Sequence, residues 1–248
     1  MPNDPHPRRD PHLRHARESP SQLAEAIRIL THAGAIDHSG HGSVRRDAWS
    51  FQINSGVSVR ATLTVADIVT IDLAGQLVAG SARPPLEFPI HAEIYRARPD
   101  VGAIMHTHPR WSTLLTIVGA PYRPVFAQGA LLGEVPVFDS PLSVDTEARG
   151  RELAAVLGEG RAVLLKSHGA VIAGADLLEC FALTVYLEEN AQRQCMAMQI
   201  GEPYVLSEDE QAACRQRLWS AALFQKAWEH YRVMYDSFSD QRSVVSEK

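Results

Sequence analysis

The amino-acid sequence predicts a single mixed α/β domain in which helices cover a sheet. Segments with helical periodicity alternate along the chain with short apolar or alternating segments typical of strands, and neither a repeat nor an internal linker separates them. The chain has 248 residues, 45% of them hydrophobic, which is enough to bury a full core. We expect one domain over residues 21–240. Residues 1–20, which are rich in Pro, Arg and His, are expected to form a disordered arm.

The first third of the predicted domain contains one helix and several short strands. The helix covers 21–34, because Ser opens this segment, its apolar residues recur at helical spacing and Gly closes it. The polar, glycine-rich stretch DHSGHGSVRR that follows is predicted to be a turn. Short segments of alternating polarity then predict strands at 49–53, 68–72 and 76–78, with a hairpin turn at 72–75.

The rest of the domain alternates helices with buried strands, starting after the chain break at Arg83-Pro84-Pro85. Short apolar runs predict strands at 101–106, 135–138, 161–167 and 170–173. Apolar residues at helical spacing predict helices at 87–98, from Pro109 to 118, and at 145–157, 177–200 and 208–235.

Composition argues against several classes of function. The formal net charge is −5 and no basic stripe is present, so nucleic acid is not an expected partner. No apolar stretch approaches the roughly 20 residues that span a bilayer, and the N-terminus lacks the apolar region of a secretory signal, so a membrane is not expected either. The three cysteines do not cluster, which argues against a disulfide framework or a zinc knuckle and favours a cytoplasmic location.

The segment His106-Thr107-His108 is the strongest local indication of a metal site. It lies at the end of a buried-type strand, and side chains two residues apart along a strand point to the same face. Two imidazoles placed in this way can reach one ion at about 2.0–2.1 Å, whereas a helix would send them about 200° apart. A His-X-His pair alone is a weak indication, because many such pairs are surface histidines.

Two further residues extend this candidate site. His168 follows the apolar run AVLLKS and precedes Gly169, so we expect it at a sheet edge, where the glycine permits a close backbone approach or a positive φ. Three imidazoles would leave open positions on the ion, as in catalytic rather than structural sites. Glu87 opens a predicted helix and is a metal ligand, a general acid or base, or a carboxylate that simply favours a helix N-terminus.

Four more residues are weaker candidates. His41 is either a polar turn residue or an imidazole that contacts a substrate carboxylate or moves a proton. Arg45 and Arg83 could each pair with a second carboxylate, and a structural salt bridge is the competing explanation, which is the stronger one for Arg45. His91 lies four residues after Glu87, one helical turn away, and either faces the same site or serves helix packing.

Together these motifs resemble the class II aldolase/adducin family. The resemblance rests on LEFPIHAEIYRARPDVGAIMHTHP, LLKSHG and SGHGSVR, and extends from about residue 21 to residue 201. It implies a three-layer α/β/α fold around a mainly antiparallel sheet. It also implies a divalent ion held by His106, His108 and His168, most commonly zinc, with manganese, iron or cobalt as alternatives. Glu87 stands where the family has its catalytic or metal-binding glutamate, and family members are commonly homotetramers with the site near a subunit boundary.

Departures from the family pattern bear on the substrate. Sugar-phosphate aldolases of the family carry Ser-Ser-Glu before the first central helix and use the serines to hold phosphate, whereas this chain has Pro85 and Leu86 there. His41 replaces their asparagine, and Phe126 stands where they bring a tyrosine proton donor. These departures disfavour a sugar-phosphate aldolase. The segments LEFPIHAEIYRARPDV and RPVFAQGALLG instead resemble the branch that decarboxylates hydroxylated aromatic dicarboxylic acids, such as 3,4-dihydroxyphthalate, or carboxy-hydroxymuconic semialdehydes.

The expected function is accordingly that of a metal-dependent carbon–carbon lyase with a small organic acid as substrate. In this hypothesis Glu87 donates or relays the proton that replaces carbon dioxide, His41 is also catalytic, and Arg45 and Arg83 bind substrate carboxylates. An aldolase or epimerase acting on a sugar or hydroxy-keto acid is the first alternative. A non-enzymatic, adducin-like interaction module is the second, and the three retained histidines argue against it.

Overall fold

The fold is built on one eight-stranded sheet, seen in a computed structural model that describes residues 19–246. The strands are β1 (His41–Arg45), β2 (Ser50–Asn54), β3 (Ile68–Asp72), β4 (Leu77–Ala79), β5 (Ala103–Thr107), β6 (Val137–Phe138), β7 (Ala162–Leu165) and β8 (Gly169–Gly174). They lie in the order β4-β3-β2-β1-β5-β8-β7-β6. Neighbouring strands are antiparallel except for β6 and β7, which are parallel, so the sheet is mainly antiparallel as predicted.

Helices connect and cover these strands. They are α1 (Pro20–His32), α2 (Phe88–Ala97), α3 (Arg110–Ile117), α4 (Glu147–Leu157), α5 (Leu177–Ile200), α6 (Glu208–Leu218) and α7 (Ala221–Ser246). Short 3-10 helices are formed by Arg60–Thr62, Val65–Asp67 and Ala127–Leu132. Across residues 19–246, none of the helices combines the length and the apolar character that crossing a lipid bilayer requires.

Hydrophobic side chains pack against both faces of the sheet. Successive residues of β5 alternate between two separate clusters, because side chains along a strand point to opposite faces: Met105 belongs to the first cluster and Ile104 to the second. The first cluster includes apolar residues of α1 and α5, and the second includes those of α2 and α4. The central strands are therefore buried on both sides, and polar side chains among them need partners inside the protein.

Strand β1 is the main correction to the sequence prediction, which placed a turn at its residues. It pairs with β2 on one side and β5 on the other, with His41 opposite His106. Polar residues, His41 and Ser43, take buried positions of this strand, where they hydrogen-bond to other side chains. The segment therefore lacks the alternation of apolar and polar residues that predicts a strand. A Cβ on Gly42 would lie 2.4 Å from the Met105 sulfur, so the glycine permits the close approach of β1 and β5.

The segment predicted as one helix from 208 to 235 is two helices. Helix α6 ends at Leu218, because Trp219 has an extended backbone with ψ 90°. The Ser220 hydroxyl then accepts a hydrogen bond from the Leu223 N–H and caps the start of α7. The other predicted helices and strands are present with small shifts at their ends, and the 72–75 turn is closed by a 3.0 Å bond from the Gly75 N–H to the Asp72 carbonyl.

The start of the domain lies slightly earlier than predicted. Residues 1–18 of the predicted arm lie outside the described residues, but Ser19 caps α1 and Pro20 is its first residue. The Ser19 hydroxyl accepts from the Gln22 N–H, and the Gln22 side chain accepts from the Ser19 N–H. This reciprocal capping box satisfies two backbone donors at the helix start, which fixes the beginning of α1 at Pro20.

Candidate metal centre

Four side chains from three segments of the chain converge where β5 ends and β8 begins. His106 lies in β5, His108 follows its last residue, His168 lies in the loop between β7 and β8, and Glu87 immediately precedes α2. One potential ligand atom from each of the four lies within 4.8 Å of the corresponding atoms of the others. The structure thus brings together all three histidines that the sequence predicted as ligands, and Glu87 with them.

The hydrogen bonds of His106 and His108 determine which ring nitrogen is free. His106 Nδ1 lies 3.1 Å from the Ala170 carbonyl oxygen, and His108 Nδ1 lies 2.8 Å from an Asp37 carboxylate oxygen. Both partners only accept, so each Nδ1 carries the hydrogen. When both rings are neutral, the two Nε2 atoms therefore direct lone pairs toward each other at 3.1 Å. Two lone pairs that face each other repel, but the same arrangement is favourable when both bind one cation.

The spacing of the donor atoms fits a tetrahedral ion. Metal–nitrogen bonds of about 2.0–2.1 Å give a tetrahedron with edges of about 3.3 Å. Besides the 3.1 Å between the two Nε2 atoms, Glu87 Oε2 lies 3.4 Å from His106 Nε2 and 3.8 Å from His168 Nε2. Imidazole and carboxylate donors suit zinc and several other divalent metals. The residues present therefore fit a divalent ion in number, type and separation.

The charge states of the cluster also suit a cation. Burial lowers the pKa of His108 and of His168, and for His108 the neighbouring His106 adds to the effect, so both rings favour the neutral form that binds metals. For Glu87, burial alone would raise the pKa. The hydrogen bond and charge that His106 supplies when it is protonated, together with the hydrogen bond from the Val144 N–H, outweigh burial and lower the pKa of Glu87 to about 2. Glu87 is consequently a carboxylate at neutral pH.

Glu87 is oriented by the backbone of a distant loop. Its Oε1 accepts a hydrogen bond from the Val144 N–H at 2.7 Å, which leaves Oε2 directed toward His106 and His168. One oxygen is thus used to fix the side chain, and the other is available to the cluster as a ligand or as a proton acceptor.

The loop that carries His168 is tightly folded against β5. Ser167 has a positive φ of 54°, and the His168 N–H donates to the Leu165 carbonyl at 3.1 Å. A Cβ on Gly169 would lie 2.2 Å from the Thr107 carbonyl oxygen and 2.9 Å from Cδ2 of His108. The glycine after His168 is therefore explained by close backbone approach, and the positive φ occurs at Ser167 instead.

A line of buried polar side chains adjoins the cluster. His41 Nδ1 lies 2.7 Å from His91 Nε2, His91 Nδ1 lies 2.6 Å from Ser43 Oγ, and Ser43 Oγ lies 2.8 Å from the Tyr95 hydroxyl. The His41 ring lies 4.9 Å from that of His106, measured between centroids. The structure therefore places His41 beside the cluster, and it places His91 behind His41.

The two predicted arginines do not join this group. Arg45 lies at the opposite end of β1 from His41, where its guanidinium donates to the carbonyl oxygens of Tyr95, Arg98 and Val101 at 2.8 Å each. These bonds tie α2 and the segment between α2 and β5 to β1, so the role of Arg45 is structural. Arg83 is exposed, and its carbonyl accepts from the Gly56 N–H.

Three residues that contact the site were missed by sequence reasoning. Asp37 binds His108, while Ser43 and Tyr95 continue the line behind His41. Ser43 is spaced two residues from His41 on a strand, and Tyr95 four residues from His91 on a helix, so correct assignment of β1 would have placed each on the face of its neighbour. Asp37 gave no such signal, because its contact with His108 spans 71 residues of sequence.

The segment 84–86 beside Glu87 is apolar and has no side-chain hydrogen-bond donor, although the preceding Arg83 is exposed and carries a guanidinium. Its two prolines have no backbone N–H. The nearby Gly56 N–H is already used by the Arg83 carbonyl at 3.0 Å. Leu86 has 71% of its side chain exposed directly before Glu87. Apart from the Arg83 guanidinium, an anion such as phosphate would find few donors on this rim, whereas an apolar ring could pack against it.

Comparison with known proteins is consistent with these observations. Residues 21–195 match the sequence family described as the class II aldolase and adducin N-terminal domain. The 5-methylthioribulose-1-phosphate/5-deoxyribulose-1-phosphate aldolase of Rhodospirillum rubrum is 33% identical over 190 residues, which cover 76% of this chain and 85% of that protein. The 3,4-dihydroxyphthalate decarboxylase of Arthrobacter keyseri is 28% identical over 230 residues, which cover 87% of this chain and 92% of that protein.

The fold is also shared with solved structures. An L-fuculose 1-phosphate aldolase from Glaciozyma antarctica PI12 superposes with a TM-score of 0.78 over 96% of each chain, at 23% identity. At that level of identity the likeness concerns the fold alone.

Proposed function

The chain belongs to the class II aldolase and adducin N-terminal domain family, and we propose that it is a metal-dependent carboxy-lyase. The proposed substrate is a hydroxylated aromatic dicarboxylic acid, such as 3,4-dihydroxyphthalate, or a carboxy-hydroxymuconic semialdehyde, as formed in the breakdown of aromatic compounds. We interpret the sheet and the helices on its two faces as the three-layer α/β/α fold that the resemblance implies.

The observation that carries this proposal is the apolar, donor-poor rim next to the histidine cluster. The exposed Leu86 and the two prolines before it stand beside Glu87, where a phosphate-binding site would need hydroxyls or free N–H groups. A flat aromatic acid suits this rim, because its ring can pack on Leu86 while its hydroxyl oxygens reach the cluster. The similarity to 3,4-dihydroxyphthalate decarboxylases supports the same choice.

The proposed metal ligands are His106, His108 and His168, with zinc as the first choice of ion. When bound there, a divalent ion would supply Lewis-acid stabilisation of the negative charge that develops on a substrate oxygen. His106 and His108 are held for this role by the Ala170 carbonyl and the Asp37 carboxylate, which fix their ring orientation.

Glu87 is proposed to relay a proton rather than to supply one of its own, because it is a carboxylate at neutral pH. Its Oε2 takes the proton of a substrate hydroxyl. The bond to the carboxyl carbon then breaks, carbon dioxide leaves, and the electron pair stays on the ring carbon. Glu87 returns its proton to that carbon, and solvent reprotonates the substrate oxygen, so the step balances with one proton from water. His41 is proposed to contact the substrate from the side of His106.

A sugar-phosphate aldolase is the second candidate function. The similarity to the Rhodospirillum rubrum aldolase, at 33% identity, favours it. Retro-aldol cleavage and decarboxylation both leave an electron pair on carbon next to an oxygen that a divalent ion can stabilise, so the same cluster serves either reaction. The apolar rim at 84–86 argues for the decarboxylase, and substrate assays separate the two.

The decisive experiment measures carbon dioxide release from 3,4-dihydroxyphthalate by protein loaded with zinc, protein stripped with a chelator, and protein reloaded after stripping. We expect release that chelation abolishes and zinc restores, and no cleavage of 5-deoxyribulose 1-phosphate under the same conditions. His106→Ala should be inactive, whereas His230→Ala, which changes an exposed histidine of α7, should keep full activity. Cleavage of the sugar phosphate without carbon dioxide release would establish the aldolase instead.

We further propose a homotetramer with the site near a subunit boundary, as the resemblance implies. Two exposed apolar side chains lie close in sequence to the contact between Glu87 and the Val144 N–H: Leu86 directly precedes Glu87, and Leu142 lies two residues before Val144. Their exposure is explained if a neighbouring subunit covers part of the rim. Light scattering coupled to gel filtration tests this, and a monomer at micromolar concentration would contradict it.

A further inference from the structure

The direction of each hydrogen bond in the line behind His41 can be assigned, starting from its far end. The Tyr95 hydroxyl lies 2.8 Å from Ser43 Oγ and 3.5 Å from the Gly102 carbonyl oxygen. We assign the Tyr95 hydrogen to the shorter contact, with Ser43, because hydroxyl hydrogen bonds measure about 2.5–3.0 Å and the Gly102 carbonyl is farther away. Ser43 has a single hydrogen, and it donates that hydrogen to His91 Nδ1 at 2.6 Å.

The two imidazoles continue this order. A ring nitrogen that accepts a hydrogen bond carries no hydrogen, so an imidazole that accepts at one nitrogen is neutral and carries its single hydrogen on the other. Because His91 Nδ1 accepts, its hydrogen is on Nε2, and this group donates to His41 Nδ1 at 2.7 Å. Because His41 Nδ1 accepts in turn, the hydrogen of His41 is on Nε2.

The free end of the line is a buried donor next to the metal centre. His41 is 1% exposed, and its Nε2 has no hydrogen-bond partner among residues 19–238. Its Cα is paired with that of His106 across β1 and β5, and the two rings lie 4.9 Å apart. A buried N–H without a partner is costly, and at a functional site such a group indicates a missing ligand that accepts a hydrogen bond.

We propose that Tyr95, Ser43 and His91 are positioning residues that hold His41 as its Nε2–H tautomer, so that His41 donates a hydrogen bond to an anionic oxygen of the substrate. The inference rests on the proposed function and deepens it, since it assigns the contact of one substrate carboxylate. Neither imidazole has to gain a charge. These hydrogen bonds also fix the direction of donation: His41 Nε2 could become an acceptor only if every hydrogen bond from Tyr95 to His41 reversed its direction.

The tautomer can be measured directly by NMR on the zinc-loaded protein with isotope-labelled histidine. The ring-nitrogen shifts distinguish a protonated Nε2 from a bare one, and the His41→Gln spectrum assigns His41 among the 11 histidines. We expect the Nε2–H tautomer in the wild-type protein. Tyr95→Phe and Ser43→Ala should produce a mixture of tautomers. A wild-type His41 that carries its hydrogen on Nδ1 would overturn the proposal.

Binding of phthalate, a dicarboxylate without the reacting hydroxyls, gives the second readout. We expect Ser43→Ala and Tyr95→Phe each to weaken phthalate binding about tenfold in calorimetry, with unchanged zinc content. Tyr122→Phe is the matched control, because it also removes a buried hydroxyl, one that donates to the Gly129 carbonyl at 3.1 Å. Equal phthalate affinity in Ser43→Ala and wild type would overturn the proposed role of the line.

The two readouts separate this inference from the proposed reaction. If His41 has the expected tautomer and phthalate binding depends on Ser43, but no carbon dioxide is released from 3,4-dihydroxyphthalate, the decarboxylase assignment fails and the donor role of His41 stands. If carbon dioxide is released while the tautomer and the phthalate affinity are insensitive to Ser43 and Tyr95, the reaction stands and the positioning role fails.

Discussion

The Asp37 carboxylate accepts a hydrogen bond from His108 Nδ1 at 2.8 Å with the same oxygen, Oδ1, that accepts from the backbone N–H groups of Ser39 and Gly40 at 2.9 Å each. Burial alone would raise the pKa of Asp37. The bond from His108 and the two N–H donors outweigh it and lower the pKa, so the group is a carboxylate. A carboxylate behind a metal-binding imidazole fixes its tautomer and increases its basicity.

Replacing Asp37 should therefore weaken metal binding without removing a ligand. We expect Asp37→Ala to lower zinc affinity about 10–100-fold, measured by competition with a chromophoric chelator. Asp37→Asn can keep all three bonds through its amide oxygen and should lose less. Asp47→Ala is the matched control, because Asp47 accepts from the Trp49 and Ser50 N–H groups in the same turn geometry. Identical zinc affinity in Asp37→Ala and Asp47→Ala would exclude the role.

Glu87→Gln should abolish turnover while the protein still folds. The amide oxygen of Gln can accept from the Val144 N–H, which leaves the NH₂ group facing the cluster, where it neither ligates a cation nor accepts a proton. We expect kcat to fall by roughly 10²–10⁴, as for loss of a general base, with zinc still bound at saturating concentration. Glu179→Gln, which changes a buried carboxylate that accepts from the Ala175 N–H, should affect stability only. Undiminished kcat would remove Glu87 from the mechanism.

The metal cluster could be predicted from sequence because its ligands lie on regular, apolar strands. The run before His106 has clear strand character, so the two-residue spacing to His108 had a structural meaning. The position of His41 could not be predicted in the same way. Its strand is built from glycine and polar residues whose hydrogen bonds are made to α2, and such partners are visible only once the two elements are packed together.

The remaining residues of the site could not be predicted because their contacts join segments that are far apart in the sequence. Nothing in the sequence near Asp37 indicates that it reaches His108, and nothing near Glu87 indicates the Val144 N–H. Arg45 has the residue type expected for carboxylate binding, but its place at the far end of β1 commits it to backbone carbonyls. Residue type and spacing thus identified which groups could bind a metal, and packing decided which polar groups support them.

Gly169→Ala should weaken both the fold and the metal site. A Cβ at this position would lie 2.2 Å from the Thr107 carbonyl oxygen, which belongs to backbone and cannot rotate away, so β5 and β8 must separate. We expect a loss of roughly 1–3 kcal/mol in the free energy of unfolding and a lower zinc affinity, because His108 and His168 adjoin this contact. Gly201→Ala is the control, since a Cβ there meets no atom within 4 Å. Equal melting temperatures for the two variants would contradict the prediction.

The buried His91 should make the metal-free protein sensitive to mild acid. Burial, followed by the charge of His106, lowers the pKa of His91 from 6.5 to about 3. Between these values the unfolded chain binds a proton that the folded chain does not, so stability is fully present above pH 6.5 and falls as the pH drops toward 3. The slope is up to about 1.4 kcal/mol per pH unit for one proton.

His91→Gln removes this titration, so urea unfolding of the metal-free protein between pH 7 and pH 4.5 should show a shallower loss of stability than in the wild type. The variant should be less stable at pH 7, where it disturbs the bonds to His41 and Ser43. His38→Gln, at a side chain that is 90% exposed, should leave the wild-type slope unchanged. Parallel pH dependences in wild type and His91→Gln would mean that His91 does not stay neutral in the folded protein at mildly acidic pH. The neutral tautomer assigned to His41 would then lose its basis as well, because the order of donors behind it requires an accepting Nδ1 on His91.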